Sequence, residues 1–247
     1  MGRDLRLAAR TRGALTARLC RTPDDFKAAL ALRALSFGAN NADAFDARCQ
    51  HVLIESTGTA GPVCVFRLAV SALGADILSG YCAQFYDLSA LAQTIHPLIE
   101  IGRFCLHPAW HDPDTLRLAW GTLAQIVADS GAVMLFGCSS FPGADPARHA
   151  QAFRLLHDRY IGPANLVPAL KSPAALRLST FGGADVAGRA QAQQGLPPLV
   201  RSYLRMGGWV GDHVVPDTSM NTVHVFTALP VATVPPLRAR SLRRITA

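Results

Sequence analysis

Two charged residues stand inside an apolar run, Pro97-Leu-Ile-Glu-Ile-Gly-Arg-Phe-Cys-Leu-His107, and their types and spacing define the chemistry to look for. Glu100 is one of only two glutamates in the chain, and Arg103 follows three residues later. A charge in hydrocarbon-like surroundings is costly unless it is paired or used. Burial raises a carboxyl's proton affinity, which suits a general base. A guanidinium beside it is the strongest partner a carboxylate can have. The run itself reads as a buried strand, rich in β-branched and aromatic residues and bounded by Pro97 and Pro108. Strict alternation puts the two charges on opposite faces. A β-bulge at Gly102 brings both to one side and frees a backbone N–H. A structural ion pair fits the same spacing.

Other reactive residues offer less. The six cysteines, at 20, 49, 64, 82, 105 and 138, form no C-x-x-C pair and sit mostly in apolar surroundings. They read as reduced thiols of a cytoplasmic protein. Cys105 and Cys138 have no base next to them in sequence, so packing is the better reading than acyl-enzyme chemistry. His107 and His111 lie four apart in a proline-broken loop with no third ligand, and no metal is expected.

The elements that must position the Glu100 strand follow from local signals. Residues 1–15 read as a flexible basic N-terminus, with a short strand from Thr16 to Arg21. Thr22-Pro23-Asp24-Asp25 is a helix start, running to about Phe37 and broken by Gly38-Ala-Asn-Asn41. Gln50–Ser56 and Pro62–Ser71 form a hairpin, and Gly80–Phe85 reads as a further strand. Asp112-Pro113-Asp114 caps a helix to about Ala128, followed by a strand from Ala132 to Cys138. Asp145–Arg159 is helical, and 162–195 is a long Pro/Gly/Ala-rich excursion. Pro197–Met206 is an amphipathic helix and Val223–Leu229 the last strand. Residues 16–234 thus form one domain of α/β (α+β) class, a mostly antiparallel sheet flanked by helices, followed by a basic tail over 235–247. No nucleotide-binding glycine motif is present.

Half of the residues are hydrophobic and 17% are charged, which describes a globular chain. The net charge of +7 is carried almost wholly by arginine, since Lys27 and Lys171 are the only lysines. That balance suits an acidic partner: an anionic membrane surface, an acidic carrier protein or nucleic acid. Nucleic acid is the weakest of the three, because no recognition module is evident. No secretory signal and no spanning segment is expected.

Several blocks together resemble the bacterial L-ornithine Nα-acyltransferases of aminolipid synthesis, within the GNAT-like N-acyltransferase fold. They are Leu32-Arg33 with Phe37, Phe45-Asp46 with Cys49-x-His51, Phe66-Arg67-Leu68 and Glu100-Ile-Gly-Arg103. Later come Gly137-Cys-Ser-Ser-Phe141, Leu196-Pro-Pro-Leu-Val-Arg-Ser-Tyr-Leu-Arg-Met-Gly207 and Asn221-Thr222. Arg33, Phe37, Asp43, Asp46, Arg67, Glu100 and Arg103 are shared with acyl-homoserine-lactone synthases. The resemblance implies a (3-hydroxy)acyl chain carried on the phosphopantetheine arm of acyl carrier protein, no other cofactor, and an amino acid's α-amine as acceptor. Glu100 and Arg103 become the catalytic pair. Arg33 and Arg67 are rival carboxylate clamps, and Asp43, Asp46, His51, Ser139 and Ser140 join Phe37 on the substrate side. The segment His107–Asp114 has no glycine and two acids at the helix start, which would repel the pyrophosphate of acyl-CoA. The basic tail and the 197–206 helix suit an anionic inner-membrane surface.

Three positions depart from the pattern that the resemblance leads one to expect. Gln50 stands between Cys49 and His51 where ornithine enzymes usually carry Asp, His224 replaces an acid, and Gly38–Asn41 is neutral. Burying ornithine's δ-ammonium without a counter-charge costs several kcal/mol. An amide needs only donors and acceptors such as Gln50, Asn40 or Asn41. These positions favour glutamine over ornithine. An acyl-homoserine-lactone synthase and an inactive carrier-protein or membrane adaptor are the rival readings.

Overall fold

Thr22 begins the first helix as its sequence demands. Its hydroxyl accepts from the Asp25 N–H at 3.1 Å while Asp25 returns a bond to the Thr22 N–H at 3.0 Å. The computed structural model describes residues 7–38, 41–182 and 186–245. In chain order the elements are β1 (Arg10–Arg12), β2 (Leu15–Leu19), α1 (Pro23–Phe37), β3 (Gln50–Ser56), β4 (Pro62–Ser71), β5 (Tyr86–Asp87) and β6 (Leu98–Leu106). They continue with α2 (Pro113–Ser130), β7 (Met134–Pro142), α3 (Ala150–Tyr160), β8 (Ala169–Leu170), β9 (Leu176–Arg177) and α4 (Val186–Gln194). The chain closes with α5 (Pro198–Arg205), β10 (Trp209–Asp217), β11 (Thr222–Pro230) and α6 (Pro236–Ile245).

Nine strands form one sheet in the order β1-β2-β3-β4-β6-β7-β11-β10-β9, and β5 pairs with β8 apart from it. Every pairing in the large sheet is antiparallel except β6 with β7. That parallel pairing lasts only from Leu98↔Met134 to Glu100↔Phe136, after which the strands fork. Gly137 sits at the fork, where a Cβ would lie 2.3 Å from the Ile101 carbonyl oxygen. One face of the sheet packs α2, α5 and α6 against Val52, Phe66, Ile99 and Ile101, with α3 and α4 farther along on Val223 and Val225. The other face carries α1, over Leu53, Val65 and Cys105, and the irregular 72–97 segment, over Leu98, Phe136 and Phe226.

Five expectations change. Gly80–Phe85 is no strand but a link that follows one 3₁₀ helix at 74–79 and contains another at 82–84, and its Tyr81 and Cys82 amides point at Glu100 instead of a ladder. Within the stretch expected to be flexible over 1–15, Leu7 is buried and β1 pairs with β2 in an edge hairpin. The tail expected over 235–247 is helix α6, lying on α2 with Leu242 and Ile245 against the core. The long excursion ends in α4. β10 has no clear strand signal in the sequence, because its interior Gly211, Asp212 and Pro216 break the alternation. Asn40 lies outside the described residues.

Candidate active site

The middle of β6 holds a bulge. Gly102 pairs with Arg67 and Cys105 with Val65, so Arg103 and Phe104 together face Phe66. The irregular residue is Arg103 (φ 52°), one position beyond the expected Gly102. Left-handed backbone at a non-glycine residue costs on the order of 1 kcal/mol and survives where surrounding contacts hold it. Here they do: the guanidinium donates to Asp43 Oδ2 at 2.7 Å and reaches Tyr81 Oη at 3.4 Å. It also lies 4.9 Å from the Tyr81 ring centroid and 5.8 Å from that of Phe37. The bulge thus turns Arg103 to the face that carries Glu100.

Glu100 is buried at 8% exposure, and its two oxygens accept separate backbone amides. Oε2 takes the Tyr81 N–H at 3.1 Å and Oε1 the Cys82 N–H at 2.6 Å. Gly80 lets the turn come this close, since a Cβ there would lie 2.3 Å from Oε2. Burial pushes the carboxyl above the usual carboxylate range, and these hydrogen bonds offset it only in part. Neither sequence reading of Arg103 as Glu100's partner holds: its carboxylate is Asp43, and Glu100 rests on amides.

Asp43 belongs to an alternating chain of charges. Arg67 grips it with both terminal nitrogens, at 2.6 and 2.8 Å, and reaches Asp46 Oδ1 at 2.6 Å. Arg33, 1% exposed, grips Asp46 at 2.8 and 3.1 Å and also donates to the Asn41 carbonyl. Burial alone would raise the Asp46 carboxyl, but Arg33, the Asp43 amide and Arg67 outweigh it and hold it at about 2. His51 donates from Nε2 to the Asp46 carbonyl at 3.1 Å, packs edge-on to Phe26, and is kept below its ordinary pKa by burial. Arg33, Asp43, Asp46 and His51 line neither of the two cavities below; they are the frame that fixes Arg67 and Arg103. Arg33 is therefore no free carboxylate clamp, and Arg67 is already engaged by two aspartates.

Two cavities meet at this frame, sharing Arg67, Tyr81 and Gly102. One, of about 550 Å³, reaches Glu100 and is lined also by Gln50, Arg48, Asp76 and Gly80. The other, of about 420 Å³, runs through the sheet at the β6–β7 fork. Its walls include Phe37, Arg103, Phe104, Ser139 and Ser140, with Leu199 and Tyr203 of α5 on the far side. Gln50 lines the first cavity, and Phe37, Ser139 and Ser140 line the second. Sequence reasoning missed Tyr81, Gly80, Arg48 and Asp76. All sit in or near irregular backbone, and no periodicity marks them. The Ser79-Gly80 punctuation before an apolar run was the one signal available.

A carboxylate of raised proton affinity at the end of one cavity can deprotonate an amine there. A fork in the other cavity, where Arg103 and Phe104 have no ladder partners, can receive an extended chain and an oxyanion. The acetyltransferase (GNAT) domain family matches residues 28–121, which include Glu100 and Arg103. An L-ornithine Nα-acyltransferase of Rhodobacter capsulatus is 33% identical over 189 residues, 74% of this chain and 72% of that protein. One from Brucella abortus is 34% identical over 200 residues, 77% of this chain and 70% of that protein. Among solved structures, FeeM, an N-acyl amino acid synthase from uncultured soil microbes, aligns over 88% of this chain and 92% of its own at 12% identity, with a TM-score of 0.48.

Proposed function

The chain belongs to the L-ornithine Nα-acyltransferase family, and from that premise we propose that it moves an acyl chain from acyl carrier protein to the α-amine of ornithine. The product is a lyso-aminolipid. The observation that carries this reading is the meeting of two cavities at Arg67, Tyr81 and Gly102, one ending at Glu100 and the other at the strand fork. The amino acid enters the first and the acyl-pantetheine arm the second. Glu100 takes a proton from the α-ammonium, directly or through a water. The freed nitrogen attacks the thioester carbonyl, a backbone amide of the Arg103 bulge receives the oxyanion, and the pantetheine thiolate leaves.

The donor reading draws on the start of α2. Asp112 caps that helix by accepting the Asp114 N–H at 2.8 Å, and Asp114 is bound by Arg12 and Arg117. A helix N-terminus filled by its own acids leaves no seat for the pyrophosphate of acyl-CoA. An acidic carrier protein instead suits a chain of net charge +7. For the acceptor, neutral residues such as Gln50 favour glutamine, but the cavity also holds Asp76. One of its oxygens accepts the Leu73 N–H at 3.2 Å, and the other has no hydrogen-bond partner among the described residues. Asp76 supplies the counter-charge a δ-ammonium needs, and Arg48, tied to the Ser79 carbonyl at 2.9 Å, can meet the α-carboxylate. An anionic membrane surface is the place for the amphiphilic product. Leu237 on basic helix α6 is 75% exposed, and a Gly74–Thr94 backbone bond sets Leu73 (55%) beside Ile95 (76%).

Mass spectrometry of products from acyl carrier protein thioester with equimolar ornithine and glutamine tests this reading. Acyl-ornithine in excess is expected, with turnover abolished by Glu100→Ala in a protein that keeps its melting profile. A dominant acyl-glutamine product would overturn the acceptor assignment, and equal rates with acyl-CoA the donor assignment. Dependence on S-adenosylmethionine would return the chain to the homoserine-lactone reading.

A further inference from the structure

Cys82 and Cys138 come from different elements, the turn that holds Glu100 and strand β7, yet their sulfurs lie 3.3 Å apart. Cys82 is fully buried, while Cys138 is partly exposed and lines the fork cavity. The fork thus gives a small solute a path to one sulfur, with the second waiting behind it.

The surroundings favour a thiolate at Cys138. Burial would raise its pKa, but the Cys82 hydrogen bond, the His224 ring and the Arg103 guanidinium outweigh that and bring it to about 6. His224 is itself placed for this. The single phenolic proton of Tyr86 goes to the His224 carbonyl at 3.0 Å, so the contact of Tyr86 Oη with Nδ1, also 3.0 Å, is donated by the ring. Nε2 is buried and without a hydrogen-bond partner among the described residues, in a ring that lines the same cavity.

We propose that Cys138 and Cys82 form a reversible oxidation site inside the acyltransferase cleft, Cys138 reacting with a hydroperoxide and Cys82 resolving it. The Cys138 thiolate attacks the peroxide oxygen, giving a sulfenic acid and releasing hydroxide or alkoxide. The Cys82 sulfur displaces the sulfenic oxygen, which leaves with the Cys82 proton as water. Two thiols lose two electrons and the peroxide gains them. Closing from 3.3 Å to a bond of about 2 Å requires side-chain rotation and a small movement of the 80–82 turn. That turn supplies both amides bound to Glu100, so the oxidised protein has its base displaced and a bridge across the cleft wall. A dithiol reductant reverses the change. The thiol chemistry is independent of which amino acid is acylated.

The test uses the full chain treated with stoichiometric hydrogen peroxide, then denatured, alkylated and weighed. The expected product carries four alkyl groups where the reduced protein carries six, its digest contains a linked Cys82–Cys138 peptide pair, and turnover falls at least tenfold until dithiothreitol restores it. In Cys82→Ala, dimedone is expected to trap the sulfenic acid on Cys138. Six alkylated thiols after treatment, a bridge between other cysteines, an untrapped Cys138 in the variant, or a bridged protein with unchanged turnover would each overturn the proposal. The first three readouts do not depend on the acyl transfer assay, so failure of the proposed reaction is told apart from failure of the thiol site.

Discussion

A single added methyl group at Gly80 puts the Glu100 assignment under the sharpest strain. The backbone at Gly80 (φ −77°, ψ 175°) is open to any residue, so alanine brings no conformational penalty of its own. Its Cβ would stand 2.3 Å from Glu100 Oε2, 3.3 Å from Cδ and 3.0 Å from the Ile77 carbonyl oxygen. Restoring ordinary contact requires the carboxylate or the turn to retreat by about 1 Å, a displacement that can reduce a rate roughly 100-fold. The retreat also stretches the Tyr81 amide bond to a charged oxygen, a contact worth about 1.5–3 kcal/mol. Gly80→Ala is therefore expected to lower kcat about 100-fold, measured by release of carrier-protein thiol. The melting temperature should fall only by several degrees, at about 2–4 °C per kcal/mol for a chain of this size. Adding Glu100→Asp withdraws the carboxylate by one methylene, which should recover the melting temperature and leave kcat low. A Gly80→Ala enzyme with kcat within twofold of the parent would refute the claim that the position of Glu100 governs the reaction.

Other outcomes follow from the same contacts. Glu100 acts when ionised and its carboxyl is held above the usual carboxylate range, so kcat/KM should rise with pH through a pKa higher than the ordinary value of about 4.3, a limb absent in Glu100→Gln. Asp46 titrates the other way. Held at about 2 when folded against about 3.9 unfolded, it contributes on the order of 2–3 kcal/mol that is intact above pH 4 and lost as pH falls toward 2, which urea titrations at stepped pH will show. Asp46→Asn leaves Arg33 and Arg67 short of a buried counter-charge and should cost about 3–5 kcal/mol by the same titration. Asp76→Asn should raise KM for ornithine at least tenfold while leaving that for glutamine within about threefold; an equal effect on both would remove Asp76 from acceptor recognition.

Signals confined to a few neighbouring residues were legible in the sequence. The Thr22 box, the Asp112 cap, the β3–β4 hairpin and the buried β6 strand all announce themselves within short contiguous stretches. The bulge was legible because a charge had to leave the wrong face, although Arg103 and not Gly102 takes the strained backbone. Partners were not legible. Asp43 meets Arg103 across 60 positions, and Glu100 meets amides 18 and 19 positions away, so nothing local distinguishes them from the Glu100–Arg103 pair that spacing suggests. The 80–85 segment reads as strand because buried Cys82 and Ala83 look like strand residues, while the amides of Tyr81 and Cys82 go to a side chain.

The row Arg33, Asp46, Arg67, Asp43, Arg103 begins and ends on a cation. Its five members sum to one unit of positive charge, and the Nε of Arg103 has no hydrogen-bond partner among the described residues. The resting protein is in this sense electrically unfinished at the point where its two cavities touch. Any anion formed there, whether a ligand's carboxylate or an oxygen gaining charge mid-reaction, completes a sequence the fold leaves one member short.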